Sequence, residues 1–595
     1  MKKKRRQTLK HPHSRLSLCM IVKNEAENLA PCINPLKPVV DEIIVVDTGS
    51  TDNTKEIAEQ LGAKVFDFPW CDDFSAARNE SIRHATGDYI LWLDADDRVD
   101  ESEVQKIGLL KRRFPFKKDE AYYGIVNTQS PIEGDCLYYQ MRIFPRVKGV
   151  LFEGKVHEQI FHNLGRMGIK LVQTDLVIMH TGYHDDGAVI TKLERNLRII
   201  EEELKSDPDN FLLHFNAART LGINRQAEAI DHMKRITEND TIRNNNKPLF
   251  LQASLLLGKY HTDLKLYNEA ISIYKNLSRD YEKIGMVHYL FGQLLFWTGD
   301  YKEAIEELRK SLIFPIQVDF LPVNLSQVCY YQYYFLGQCY LETGEADLAK
   351  EMFIKSLNHY KDHIKSLEAL GLLSLKEHKF KEAVEYYERA IQEGGASDDS
   401  NYANLGLAYR KLGLWIEAEK SLVKALEINP QRIEALTNLG HLYHKKKEVP
   451  KAVDCFIKAL DLDPNLKDVR LALSDIYFRL SDIENLVGQC DALLKELNLP
   501  RNFVIESFNE LSVLYERIGE TLSKNGLSNL SLMAYHVSFM IHPSRGVLDK
   551  ILPVAKISKV LESSREKIHE ALVFHKRQGQ DVAIEFDSPT PTLRP

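Results

Sequence analysis

The distribution of apolar positions along the chain changes period near residue 185. Before that point, continuous apolar runs at 18–22, 43–46 and 89–93 alternate with amphipathic stretches. Runs that are apolar at every position predict strands buried on both faces of a mostly parallel sheet. Ser50-Thr-Asp-Asn-Thr54 is rich in helix-capping residues and leads into a predicted helix at 55–61 that Gly62 stops. A second helix is predicted at 74–85, capped by Asp72 or Asp73 and stopped near Gly87, and a later strand at 138–144. Strand–helix–strand alternation predicts an open α/β sheet with right-handed crossovers.

Beyond about residue 207 the strand pattern is gone and a repeat takes over. A glycine and an alanine recur twelve apart at Gly258/Ala270, Gly292/Ala304, Gly337/Ala349, Gly371/Ala383, Gly406/Ala418 and Gly440/Ala452. The glycine steps are 34, 45, 34, 35 and 34, and Pro430 and Pro464 are also 34 apart. A 34-residue period is that of tetratricopeptide repeats, in which only a small side chain fits where the two helices of a copy cross. The 45-residue step implies an insertion around 314–325. Ala217 and Ala229 mark a weaker copy ahead of the array, and degenerate copies follow to about Pro543. Stacked helix pairs form a superhelix whose concave groove suits an extended peptide. The same array would also serve as a spacer or an oligomerisation surface.

Composition removes several classes. The 595 residues are 44% hydrophobic and 27% charged, which is ordinary for globular protein. A net charge of −7 argues against a globally basic nucleic-acid binder. No apolar run approaches the length needed to span a bilayer. None of the 8 cysteines forms a Cys-x-x-Cys pair, and at this density they read as reduced thiols of a cytoplasmic protein. Met1-Lys-Lys-Lys-Arg-Arg6 lacks the apolar stretch of a secretory signal. It reads as a solvated tail that would also suit peripheral contact with anionic lipid.

Ligands of open α/β sheets bind beyond the carboxyl ends of the strands. Lys23-Asn-Glu25 follows the first run, Asp47-Thr-Gly-Ser-Thr-Asp52 the second, and Asp94-Ala-Asp-Asp97 the third. Capping of the next helix explains Asp52 well and Asp94 badly. Asp94 and Asp96 are two apart, so on an extended backbone both carboxylates point to one side and offer oxygen ligands to a hard divalent cation. There is no Gly-x-Gly-x-x-Gly after the first strand and no P-loop motif, which disfavours a dinucleotide dehydrogenase and a P-loop nucleotidase.

Cys19-Met-Ile-Val-Lys-Asn-Glu25, Glu42-Ile-Ile-Val-Val-Asp-Thr-Gly-Ser-Thr-Asp-Asn-Thr54, Asp73-Phe-Ser-Ala-Ala-Arg-Asn79 and Gly87-Asp-Tyr-Ile-Leu-Trp-Leu-Asp-Ala-Asp-Asp97 resemble the nucleotide-sugar half of family 2 glycosyltransferases. Phe152-Glu-Gly-Lys-Val-His-Glu158 and Met179-His-Thr-Gly-Tyr183 resemble a bacterial branch fused to tetratricopeptide repeats, which includes enzymes that glycosylate bacteriocin peptides on cysteine. The resemblance covers about residues 16–205. It implies a GT-A fold and an inverting hexosyl transfer from a nucleotide sugar, a UDP-sugar, with manganese or magnesium. It also implies roles. Asp47 would bind the uracil or ribose side, with Glu25 beside the same pocket. Asp94 would contact ribose or metal-bound water, and Asp96 would ligate the metal with His180. Arg78 would meet the diphosphate, or else form a helix-surface ion pair. Inversion needs one base, for which Glu158 is the candidate, then His157, then Glu153. His184-Asp-Asp186 reads as a solvated turn.

The expected organisation is a basic tail at 1–15, a GT-A domain at 16–205, a repeat array at 206–545 and a helical cap and tail at 546–595. The leading expectation is a glycosyltransferase whose repeat groove presents a protein or peptide acceptor. Alternatives are a transferase building a lipid-linked or cell-surface glycan on a repeat scaffold, and a non-catalytic scaffold.

Overall fold

Eight strands of the N-terminal region form one sheet: β1 (Leu16–Val22), β2 (Glu42–Asp47), β3 (Lys64–Asp67), β4 (Tyr89–Trp92), β5 (Asp97–Arg98), β6 (Glu120–Ser130), β7 (Gly134–Pro145) and β8 (Lys170–His180). Their order is β3-β2-β1-β4-β7-β6-β8-β5. This computed structural model describes residues 14–113, 119–130, 134–181, 186–222, 225–316, 325–500, 505, 507–558 and 560–578. The basic N-terminal run, His184 and Asp185, most of the 314–325 insertion and the proline-rich end of the chain lie outside them. The chain divides into two units, Met1–Lys361 and Asp362–Pro595.

The parallel expectation holds for β3-β2-β1-β4. The other half of the sheet is mixed: β7 runs antiparallel to β4 and β6, β8 is parallel to β6, and β5 is antiparallel to β8. The apolar runs are covered on both faces. Leu18, Met20, Val45 and Leu91 pack with Leu29, Ile33 and Ile107 on one side. Cys19, Ile44, Ile90 and Trp92 pack with Met141, Phe144, Phe152 and Ile160 on the other. Burial pushes the Cys19 thiol up to about 12, as befits a packing residue. Of the two candidate caps for the helix Phe74–His84, Asp73 takes the role, accepting from Ala76 N at 2.8 Å.

From Asp186 onward every regular element is helical among the described residues. The repeat glycines meet a side chain sixteen residues on in the partner helix. A Cβ at Gly258 would lie 2.6 Å from the Tyr274 ring, at Gly337 2.7 Å from Phe353, at Gly371 2.8 Å from Tyr387 and at Gly440 2.6 Å from Phe456. The alanines at the twelve-residue offset, Ala270, Ala304, Ala349, Ala383, Ala418 and Ala452, are all fully buried. The same offset reveals a degenerate copy, with Gly519 against Tyr535 at 2.6 Å and buried Ser531 in the alanine position. Ala217 and Ala229 occupy the small positions of the first helix pair.

A prediction follows for Gly440→Ala. The added methyl meets the fully buried Phe456 ring, and overpacking costs about 1–3 kcal/mol. Helix propensity returns about 1 kcal/mol. The variant is expected to melt at a lower temperature than the parent by circular dichroism, and an unchanged or higher Tm would show that the ring moves aside freely.

Candidate functional site

β1, β2 and β4 end at the same edge of the sheet because they are parallel and in register, Val22 lying beside Asp47 and Cys19 beside Trp92. The loops leaving them are stitched together. Asn24 Oδ1 accepts from Thr51 N at 2.7 Å, and Glu25 N donates to Thr54 Oγ1 at 2.8 Å. Asp47 is buried; its Oδ1 accepts from Gly49 N and Ser50 N at 3.0 and 2.9 Å. Its Oδ2 is buried with no hydrogen-bond partner. Glu25 accepts from the Asn28 amide at 2.8 Å, and its charge reaches Asp96.

The expected extended backbone at Asp94 and Asp96 is not what brings their carboxylates together. β4 stops at Trp92 and the chain turns, with Asp97 N donating to Asp94 O at 3.1 Å and Asp94 N to Asp97 Oδ2 at 2.9 Å. β5 then pairs Asp97 with His180 at the end of β8, and Thr181 N donates to Asp96 O at 3.0 Å. A strand distant in sequence thereby delivers the imidazole. Ligand atoms of Asp94, Asp96 and His180 lie within 4.8 Å of one another, the spacing of a metal site. His180 Nδ1 is 2.9 Å from Asp97 Oδ1 and 3.4 Å from Asp96 Oδ1.

Arg78 ties this cluster to the later loop. Its Nη2 donates to Asp94 Oδ1 at 2.9 Å and its Nε to Glu158 Oε1 at 2.5 Å. The guanidinium is buried against the Trp92 ring, 4.1 Å from its centroid. Arg78 therefore bridges two of the candidate carboxylates. His157 stands apart from this bridge. Its backbone is left-handed, at φ 54°, and its Nε2 is buried without a hydrogen-bond partner. Burial, with the Arg219 charge, lowers its imidazole to about 3. Glu153 pairs with Arg166 on the surface.

Two site residues went unrecognised in the sequence. Asp97 is fully buried, and its carboxylate serves His180, Asp94 N and Arg142 Nη1, the last at 2.8 Å. Arg142 is 1% exposed and lies 4.2 Å from the Trp92 centroid, so two guanidiniums attend one indole. The available signal was an arginine inside the apolar stretch Met141-Arg-Ile-Phe144 of a core strand, since a charge is buried there only when paired.

Burial would raise the Asp94 carboxyl, but Arg78, Arg142 and His180 hold it at about 2. Burial pushes Asp96 up to about 6; His180 opposes this, and Asp94 and Asp97 add to it. Burial lowers His180, but the hydrogen bond to Asp97 and the neighbouring carboxylates raise it above its ordinary value. Asp94, Asp96, Asp97 and Glu158 face Arg78 and Arg142, which leaves two negative charges uncompensated before His180 is counted. Two carboxylates and an imidazole with that deficit fit a divalent cation of the manganese or magnesium kind.

If the cluster holds manganese, Asp97→Asn is predicted to weaken its binding by about 10–100-fold, because the carboxylate that orients His180 is lost. It should also destabilise the fold by about 3–5 kcal/mol by leaving Arg142 without its charge partner. Calorimetric titration with manganese and thermal melting read the two effects separately. Parent-like values in both would remove Asp97 from the site.

Residues 17–109 match the family model for glycosyl transferase family 2, and 333–362, 400–432 and 433–466 match tetratricopeptide repeat models. The chain carries a family 2 glycosyltransferase domain joined to tetratricopeptide repeats. The SPbeta prophage-derived glycosyltransferase SunS of Bacillus subtilis (strain 168) is 31% identical over 264 residues, 42% of this chain and 60% of that one. A TPR repeat-containing protein of Synechococcus elongatus is 40% identical over 152 residues, 25% of this chain and 36% of its own. An uncharacterized glycosyltransferase of Rickettsia felis is 44% identical over 93 residues, 16% of this chain and 32% of its own. The chain thus spans less than two thirds of each of these relatives.

Proposed function

We propose that this protein is a metal-dependent, inverting glycosyltransferase that moves a sugar from a UDP-sugar to a protein or peptide acceptor. The observation that carries the reading is the convergence of Asp94, Asp96 and His180 at the carboxyl edge of the parallel strands, inside the segment that matches family 2. Asp94, Asp96 and His180 would hold manganese or magnesium, which when bound neutralises the diphosphate as it leaves. Asp47 presents a buried, unsatisfied carboxylate oxygen to the nucleoside end of the donor, the kind of acceptor a uracil N–H or ribose hydroxyl satisfies. Glu25 flanks the same pocket.

Glu158 takes the acceptor proton as the nucleophile attacks the anomeric carbon in a single displacement. Arg78 holds Glu158 and Asp94 at fixed separation, acting on the carboxylates that surround the diphosphate. The peptide acceptor is supported by the tetratricopeptide repeats and by the resemblance to the branch that modifies bacteriocin peptides.

Thermal denaturation with a panel of nucleotide sugars plus manganese tests the donor step. A donor at 100 times its dissociation constant stabilises by about 2.7 kcal/mol. UDP-sugars are expected to raise Tm only with the metal present. Absence of a shift with every nucleotide sugar would defeat the proposal.

A further inference from the structure

Beside the carboxylate cluster stands a third arginine, which forms no ion pair among the described residues. Arg98 ends β5 and is half-buried. Its Nη1 donates to Ala95 O at 2.8 Å and to Asp97 O at 3.0 Å, and so grips the turn that carries Asp94 and Asp96. Its Nη2 donates to Asn28 Oδ1 at 2.7 Å. All three acceptors are neutral oxygens. The guanidinium therefore fixes positions without neutralising a carboxylate.

Asn28 passes that placement on. It lies in the first turn of the helix Ala26–Ile33, three residues after Glu25, which is the spacing of one helix face. Its Nδ2 donates to Glu25 Oε2 at 2.8 Å. An arginine offers only donors and a carboxylate only acceptors, so the amide between them has a single satisfactory orientation. A carboxylate at position 28 would satisfy Arg98 and repel Glu25, and an apolar residue would serve neither. Direct contact between Arg98 and Glu25 would hold the two charges against each other. The intervening amide instead fixes one oxygen of Glu25. Its other oxygen, Oε1, has no hydrogen-bond partner among the described residues, and the residue is half-buried.

We propose that Arg98 and Asn28 are positioning residues that aim Glu25 at the nucleoside end of the donor, where Oε1 accepts from a ribose hydroxyl or a uracil N–H. The inference rests on the donor reading above and deepens it. One guanidinium sets both the turn of the metal cluster and, through an amide 70 positions away in the chain, the carboxylate of the nucleoside pocket.

The test is calorimetric titration of the full-length protein with UDP in the presence of manganese. Asn28→Asp is nearly isosteric, keeps an acceptor for Arg98 and loses the donor to Glu25. It should bind UDP at least about tenfold more weakly than the parent, the contribution of one hydrogen bond to a charged group. The added charge by itself also repels UDP, so the same change is repeated beside Glu25→Gln, whose amide can donate back to it. There Asn28→Asp should alter UDP affinity by no more than about threefold, since residues that act through one another are not additive. Arg98→Lys keeps the charge and loses the fork, and should weaken UDP binding as well. Melting curves by circular dichroism establish that each variant is folded at the titration temperature. Parental affinity in both Asn28→Asp and Arg98→Lys would overturn the relay. So would a loss from Asn28→Asp that is as large beside Glu25→Gln as without it, which marks charge repulsion or a merely structural asparagine. In either case UDP binding by the parent leaves the donor reading standing, whereas a parent that binds no UDP defeats that reading and the relay with it.

Discussion

Asp96→Ala is expected to cut manganese-dependent turnover by at least about 10²-fold, the scale of losing one preorganised electrostatic group, with the fold intact. Asp96 sits on the turn after β4, 14% exposed, with His180 Nδ1 at 3.4 Å, and its backbone carbonyl rather than its side chain anchors Thr181. Removing the carboxylate therefore takes away the proposed metal ligand without cutting that backbone hydrogen bond. The sign of the stability change is also defined. Because the folded carboxyl is raised to about 6, ionised Asp96 disfavours the metal-free fold, most strongly above pH 6, and this penalty fades as pH falls toward the unfolded value near 4. Metal-free Asp96→Ala should therefore melt no lower than the parent at pH 7.5, and should lose the rise that manganese gives the parent. Parent-like turnover at equal manganese would place the metal elsewhere.

Glu158→Gln should keep UDP-sugar binding and reduce transfer by about 10²–10⁴-fold, the contribution of a general base. Glutamine preserves the oxygen that accepts from Arg78 Nε and removes the capacity to take a proton. Donor hydrolysis measured beside transfer separates a lost base from a disturbed donor site. An unchanged transfer rate would move the role to His157 or Glu153. The geometry already distinguishes these two: His157 has a buried Nε2 off the carboxylate bridge, and Glu153 is held by Arg166 on the surface.

Much of this molecule was determined by the sequence alone, wherever the physics is local. A run such as Ile43-Ile-Val-Val46 has no solvent-facing side, so it must lie inside a sheet. Gly440 and Ala452 are spaced as two facing points of one helix pair, so the repeat was legible from two small residues per copy. Asp47, Asp94 and Asp96 were found because parallel strands must discharge their loops at one edge.

Only the tertiary structure decided what depends on residues far apart in the chain. The mixed half of the sheet arises from pairings over long separations, such as Thr128 with His180, which no local pattern encodes. The carboxylates at 94 and 96 converge through a turn closed by Asp97 and through β5 pairing with β8, not through strand alternation. Asp97 and Arg142 are 45 positions apart, and each makes sense only when the other neutralises it. Arg410 carries the same lesson in reverse: a surface-type residue in sequence, it is left half-buried by folding, with an Nε that has no hydrogen-bond partner. Burial and charge pairing are properties of neighbours in space, so they were settled only when those neighbours met.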